Sequence, residues 1–363
     1  MADVSTTSQL ILTAKRAEQS GQAVESSTEV HLDEWISPEL VDDNGLLRVG
    51  RILEWMDVAG VLAATRFCRR SCVTASVNGL EMFRPVELGE HVSLTARVVH
   101  SSSRSLGVHL SLRARGAKLL SESEVLTAYM TFVPINDDGM KRLLRPIQPT
   151  TPRDRALQRE AELRRQFRQR LASGELSPAL DARGERREPV SLRTLARDFA
   201  RIVPFGAESL RSQARSPEVS YVHRIEPVLA GLLNFHGTLY GGTLMRWIEN
   251  AAALSARAFI DSPVIVQGVH GLDFVRPVRQ HVFLHTHAMA VRSDRTSVTI
   301  RIEVSSEDPL SGMTEQCMHG FFTYRPLDPR AAIPELDVRS DAERALCAEA
   351  SQHLAFSRQL RES

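Results

Sequence analysis

Asp57 is an acid two turns into a run that is otherwise apolar on nearly every side, through Ile52, Leu53, Trp55, Met56, Val58, Val61, Leu62, Ala63 and Ala64. A carboxylate buried there is costly unless paired. It is either satisfied by neighbouring hydrogen bonds or kept for chemistry, as a general base for water or as a direct nucleophile. Asn234 stands in a glycine-bent loop that also holds His236 and Gly237 and runs through Gly241, Gly242 and Thr243 into a helix reaching about Phe259. As a plain structural residue Asn234 is a turn former. As a functional group its amide orients a water or donates to a substrate oxygen. The first N–H groups of the helix lack intrahelical partners and sit at its positive end, which suits them to hold a developing oxyanion. Glycine at these positions lets a ligand approach the backbone.

The elements that carry these residues occur twice. Gly45 and Gly237, Gly50 and Gly242, and Trp55 and Trp247 are each 192 residues apart (242 − 50, for example). The same spacing relates Gly79, Arg84, Pro85 and Val86 to Gly271, Arg276, Pro277 and Val278, so the chain contains an internal duplication. In the first copy a strand at 29–36 precedes the loop, a helix at about 50–68 follows, and alternating apolar residues predict strands at 72–77, 91–100, 105–115 and 124–134. A helix apolar all round belongs inside something, so this order predicts an antiparallel sheet curled around one helix. The second copy predicts a helix from Gly242 and strands at 264–269, 281–292, 296–306 and 314–324.

Between the copies, Thr151 and Pro152 form an N-cap and first position for a helix that stops at Gly174. Arg153, Arg155, Arg159, Arg164, Arg165, Arg168 and Arg170 raise the thought of an RNA-binding segment. Interleaved Glu160 and Glu162 and the lack of an aromatic stacking platform favour a solvated connector helix, followed by a flexible stretch near 181–189. The division is a leader at 1–28, a first domain at 29–137, the connector at 138–216, a second domain at 217–327, and a tail at 328–363 with a short helix at about 340–352.

Composition excludes several classes. The 363 residues, 42% hydrophobic and 25% charged, suit two cores, and a net charge of +1 gives no global attraction for nucleic acid or an anionic membrane. No apolar run is long enough to span a bilayer. Cys68, Cys72, Cys317 and Cys347 form no Cys-x-x-Cys pair and suggest neither a zinc site nor a disulfide framework; they read as small apolar residues in a reducing compartment. His281, His285 and His287 alternate on one strand, but no acid or thiol accompanies them at useful spacing, so no metal is expected. The first 27 residues carry Lys15 and Arg16 beside Asp3, Glu18 and Glu25 without an apolar signal core, which argues against secretion and leaves a weak organellar presequence open.

Taken together, the duplicated buried helix and sheet, with Asn-x-x-Gly-x-x-x-Gly-Gly before the helix, resemble the tandem hotdog acyl-coenzyme A thioesterases. The nearest likeness is to the animal-type cytosolic and mitochondrial acyl-CoA hydrolases; the lipid-binding third domain of some of them has no counterpart in the residues read. The resemblance implies an α+β fold of two tandem hotdog domains forming an intrachain pseudo-dimer. It further implies hydrolysis of fatty acyl-CoA without metal or redox cofactor, cytoplasmic or mitochondrial location, and a homo-oligomer such as a trimer of tandem chains. In that family an Asn from one repeat's loop faces an Asp from the other repeat's helix. Here the intact pair is Asn234 with Asp57, and Gly242 lies at the helix start. The complementary pair is Asp42 with Glu249, two acids with Val49 in place of a glycine, which reads as a lapsed site. For the phosphates and pantetheine of coenzyme A the candidates are Arg84, Arg276, Arg295 and Thr296, against the plainer reading of the arginines as exposed sheet-edge residues. Other readings are an acyl-CoA or lipid-binding protein that has lost its chemistry, a scaffold built on the Arg-rich connector, and a hydroxyacyl-thioester dehydratase of the same fold using His236.

Overall fold

The computed structural model describes residues 28–116, 122–135, 144–176, 190–198 and 214–362. The first repeat comprises β1 (Val30–Trp35), α1 (Val49–Cys68), β2 (Cys72–Met82), β3 (His91–Ser101), β4 (Leu106–Arg115) and β5 (Ser123–Pro134). Two helices follow, α2 (Pro152–Ala172) and α3 (Leu192–Asp198), then a two-residue strand β6 (Ala214–Arg215). The second repeat comprises β7 (Val222–Pro227), α4 (Gly241–Ile260), β8 (Val264–Phe274), β9 (Phe283–Ser293), β10 (Val298–Glu307) and β11 (Thr314–Pro326). The short β12 (Glu335–Leu336) pairs in parallel with β6, and α5 (Asp341–Glu362) ends the described chain.

Each repeat is the expected antiparallel sheet around one helix, and the two sheets join. Their strands run β1-β3-β4-β5-β2-β8-β11-β10-β9-β7, a ten-stranded sheet closed at its centre by antiparallel pairing of β2 with β8, with Leu80 opposite Val269. The two copies of one sequence pattern thus face each other about a local two-fold. Their helices share a core in which Ile52, Leu53, Met56, Met245, Ile248 and Ala252 have no exposed surface. Alternation along β3 and β4 buries Val92, Leu94, Ala96, Val108, Leu110 and Leu112 on this side, as period-two patterning requires. Each of the two core helices ends on a residue in the left-handed region, Arg69 at φ 54° and Asp261 at φ 60°.

The connector and the tail differ from their expected forms. Thr151 and Asp154 do make the reciprocal capping box, but α2 is not simply solvated. It lies on the outer face of the first repeat's sheet, where Ala161 and Arg164 are buried and Arg164 stacks over Tyr129. Gly79 makes the room, since a Cβ there would lie 2.2 Å from the Arg164 guanidinium. The tail helix is not short: α5 has 22 residues and buries Leu346, Ala350, His353 and Ser357 against the second repeat. The equivalent glycine, Gly271, admits the His353 ring. The two covering helices meet where Phe167 stacks on Phe356 with centroids 4.0 Å apart. Several strands run past their expected ends, most of all β2 and β8, because pairing across the repeats satisfies backbone that alternation alone did not mark. The stretch 181–189 lies outside the described residues.

Candidate active site

Asp57 is 5% exposed and reaches from α1 toward the start of α4. The Gly242 N–H donates to its Oδ2 at 2.8 Å and the Thr74 hydroxyl to its Oδ1 at 2.5 Å. Tyr240 occupies the N-cap of α4 without a side-chain cap, so a carboxylate from the other repeat does the capping. Burial raises the Asp57 pKa above its usual 3.8; the bonds from Thr74 and Gly242 act against that, and the charge of Glu54 adds to it. The two glycines permit this approach. A Cβ on Gly241 would lie 3.0 Å from Asp57 Oδ1, and one on Gly242 would lie 2.9 Å from the Glu54 Cα.

Asn234 comes to the same place from the loop of the second repeat. Its side-chain oxygen accepts from the backbone N–H groups of His236 and Thr238 at 2.9 and 3.2 Å, while its amide donates to Thr238 Oγ1 at 3.0 Å. These bonds fix the loop around Gly237, which has φ 72°. Asp57, Thr74, Asn234 and Gly241 all line one cavity of about 400 Å³ whose apolar walls include Val61, Leu244, Phe274 and Val275. Phe235 and Tyr240 also line it and are largely exposed. His236 lines it too, and its Nε2 lies 2.7 Å from the Ser71 hydroxyl. Such a site combines a buried acid of raised basicity, an amide and a helix N-terminus beside apolar space.

The local two-fold places a second arrangement on the other side. Glu249 is 7% exposed and caps α1 through the Gly50 N–H, as Asp57 caps α4. Burial pushes its pKa up to about 7; the bonds from Gly50 and Tyr324 and the charge of Arg48 oppose this, and Asp42 reinforces it. Asp42 bends its loop as Asn234 does, accepting from the N–H groups of Asn44 and Leu46 at 2.9 and 3.1 Å, but it offers no amide. Two further exchanges accompany the change of acid. Val266 stands where the first repeat has Thr74, and Tyr324, whose hydroxyl lies 3.4 Å from Glu249 Oε1, stands where it has Phe132.

Of the expected coenzyme A contacts, the structure brings only Arg276 to the cavity, where it is paired with the exposed Glu315 at 2.6 Å. Arg84 is turned into a lock, bidentate on Glu90 at 2.9 and 3.0 Å and bonded to Ser123. Arg295 and Thr296 lie in the exposed β9–β10 turn, with Thr296 bonded to Asp294. Linear spacing hid partners of the histidines: His285 meets Glu307 at 2.8 Å and His223 at 3.0 Å across neighbouring strands, while His281 precedes β9 with φ 66°. Among the described residues no group of three or more His, Cys, Asp or Glu side chains is arranged to hold a metal ion. Thr74 escaped the sequence reading, although its replacement by Val266 at the same 192-residue spacing was visible there.

Comparison with known proteins follows the same division. The family model of the thioesterase superfamily matches residues 44–120 and 236–312, two segments again 192 residues apart (236 − 44). The acyl-CoA thioester hydrolase YciA of Escherichia coli (strain K12) is 30% identical over 109 residues, 29% of this chain and 82% of that protein. The chain belongs to the thioesterase superfamily. The acetyl-coenzyme A thioesterase of Rattus norvegicus is 25% identical over 309 residues, 84% of this chain and 52% of that protein, so the chain spans about half the length of this superfamily relative. An oleoyl thioesterase (putative) of solved structure from Lactobacillus plantarum is 12% identical, with 85% of this chain and 97% of that chain covered and a TM-score of 0.49. In this chain each matched segment spans the end of the loop, the long helix and the next three strands, so that Asp57, Thr74, Gly242 and Glu249 fall inside the segments while Asp42 and Asn234 lie two residues before them.

Proposed function

We propose that this chain hydrolyses fatty acyl-CoA to a free fatty acid and coenzyme A at the site formed by Asp57 and Asn234. The observation that carries this reading is the meeting of a buried acid from one repeat with an amide-bearing loop and a helix start from the other on a single cavity. Thr74 and Gly242 aim the Asp57 carboxylate, and its raised pKa makes it a stronger base than an exposed aspartate. It removes a proton from an attacking water or attacks the thioester carbonyl itself. The second hydrogen of the Asn234 amide and the backbone at the start of α4 stabilise the oxyanion that forms. Collapse expels the thiol of coenzyme A. The apolar walls receive the acyl chain, and Arg276 meets an anionic part of the coenzyme A moiety. The reaction draws on substrate, water and these side chains alone, coenzyme A being part of the substrate.

Association into a trimer of tandem chains uses what α2 and α5 leave uncovered, for which the edge strands β1 and β7 with exposed Trp35 and Ile225 are the places. Light scattering of the purified chain tests it. The reaction is placed in the cytosol or mitochondrion, which fractionation checks. Among the described residues no helix is long and apolar enough to cross a membrane.

The activity itself is tested by incubating the chain with short, medium and long acyl-CoAs and separating products chromatographically. Equal amounts of free acid and coenzyme A are expected from at least one chain length. Binding without turnover across the panel would replace hydrolysis by a carrier role. Loss of water from a hydroxyacyl-CoA with the thioester intact would replace it by a dehydratase centred on His236.

A further inference from the structure

We infer that Cys68 and Cys72 form a redox-responsive dithiol, which a hydroperoxide converts to a disulfide that re-sets the Asn234 loop. The two sulfurs are 3.4 Å apart. Cys68 is the last residue of α1, the helix that carries Asp57, and Cys72 is the first of β2, the strand that carries Thr74. Cys72 is buried and lines the cavity, while Cys68 is half-buried. Between them runs a three-residue turn opened by Arg69 in the left-handed region. Its last residue, Ser71, is the link to the other repeat, through its hydroxyl at 2.7 Å from His236 Nε2. His236 lies two residues from Asn234 and gives its backbone N–H to the Asn234 side chain.

The chemistry of the pair is asymmetric in the way oxidation needs. The hydrogen bond from Cys72 is the largest cause that brings the Cys68 thiol down to about 6, with burial opposing it and the backbone and charge of Arg70 assisting. The same bond, with burial, pushes Cys72 up. At neutral pH the pair therefore presents a thiolate at the more accessible sulfur, the form that reacts. The Cys68 thiolate attacks one peroxide oxygen, the O–O bond breaks, and the leaving hydroxide, or the alkoxide of an alkyl hydroperoxide, is protonated to water or to the alcohol. The Cys72 thiol then displaces water from the Cys68 sulfenic acid, forming the S–S bond. Two thiols lose two electrons and the peroxide gains them.

A disulfide holds its sulfurs about 2.0 Å apart, so closure from 3.4 Å draws them together by about 1.4 Å. Both flanking elements are anchored in the core, Phe67 on one side and Val77 on the other. What rotation of the two cysteine side chains does not take up therefore falls on the turn, and on Ser71 with it. Movement of Ser71 loosens its bond to His236 and the loop that presents Asn234.

The effect on rate rests on the hydrolysis proposed above; formation of the bond and movement of the loop do not. The chain is treated with hydrogen peroxide, alkylated, and mapped by peptide mass. A Cys68–Cys72 crosslink lighter by two hydrogens is expected, reversed by dithiothreitol, with shifted His236 imidazole resonances and a several-fold slower loss of thioester absorbance. Cys68→Ser is expected to keep the basal rate and to ignore peroxide. The proposal is overturned if no such crosslink forms, if it forms while the His236 resonances stay in place, or if the crosslinked chain turns over at the reduced chain's rate. A chain that hydrolyses nothing even when reduced speaks against hydrolysis alone, and the crosslink and the His236 signals still decide the dithiol.

Discussion

Asp57 and Glu249 hold equivalent places, each capping the other repeat's helix through a glycine N–H. They differ in what meets the remaining oxygen. For Asp57 it is the short bond from Thr74, and for Glu249 a longer one from Tyr324. Thr74→Val copies the mirror arrangement. Because the lost bond lowers the Asp57 pKa, the acid limb of the pH–rate profile is expected to move to higher pH. The rate is expected to fall roughly tenfold or more, in keeping with about 1.5–3 kcal/mol for a hydrogen bond to a charged group; an unmoved limb would mean that Thr74 does not act on the reacting acid. Glu249 yields a prediction about stability. Its folded pKa of about 7 stands above its ordinary 4.5, so the folded chain binds the proton more tightly. The resulting stabilisation is fully present below about pH 4.5 and is lost as pH rises through about 7. Glu249→Gln is expected to flatten this part of the dependence of thermal midpoint on pH and to raise the midpoint at pH 8.

The elements place these acids by bringing two helix starts against two helix middles, a contact that only glycine allows. Gly242→Ala sets a Cβ 2.9 Å from the Glu54 Cα, a backbone atom unable to swing aside. About 2 kcal/mol of stability and most of the hydrolysis rate are expected to go together, as calorimetry and steady-state rates would show; an unchanged midpoint would mean that the helices pack with slack. Both core helices and eight long strands were legible in the chain because burial on one side writes itself as alternation or as an apolar run. That Asp57 and Asn234 meet on one cavity was legible through the resemblance and the 192-residue spacing. What was not legible was pairing at a distance. The extension of β2 and β8, the bond from Arg84 to Ser123 and the cover supplied by α2 and α5 all depend on partners far away in sequence. An Arg-rich helix such as α2 looks solvated until Gly79 is seen to admit Arg164.

At the scale of the molecule, one core runs through both repeats and one sheet wraps it, so the pairing that a single hotdog obtains from a second copy is covalent here. The outer cover belongs to the same unit. Phe167→Ala removes the ring stacked between α2 and α5, and a loss of about 2 kcal/mol is expected from the partly buried aromatic, read as a lower thermal midpoint with the rate below it unchanged. On the proposed reading, a duplication that keeps Asn234 and Asp57 together and has Asp42 and Glu249 at their mirror positions leaves one working site per chain. The most direct test is to compare coenzyme A release by Asp57→Asn, Asn234→Ala and their combination with release by Asp42→Asn and Glu249→Gln, all shown folded by circular dichroism. The cross-repeat site requires the first two to lose most of the rate and the double variant to be little worse than Asp57→Asn, while both mirror variants keep it. Full activity in Asp57→Asn, or its loss in Glu249→Gln, would contradict it.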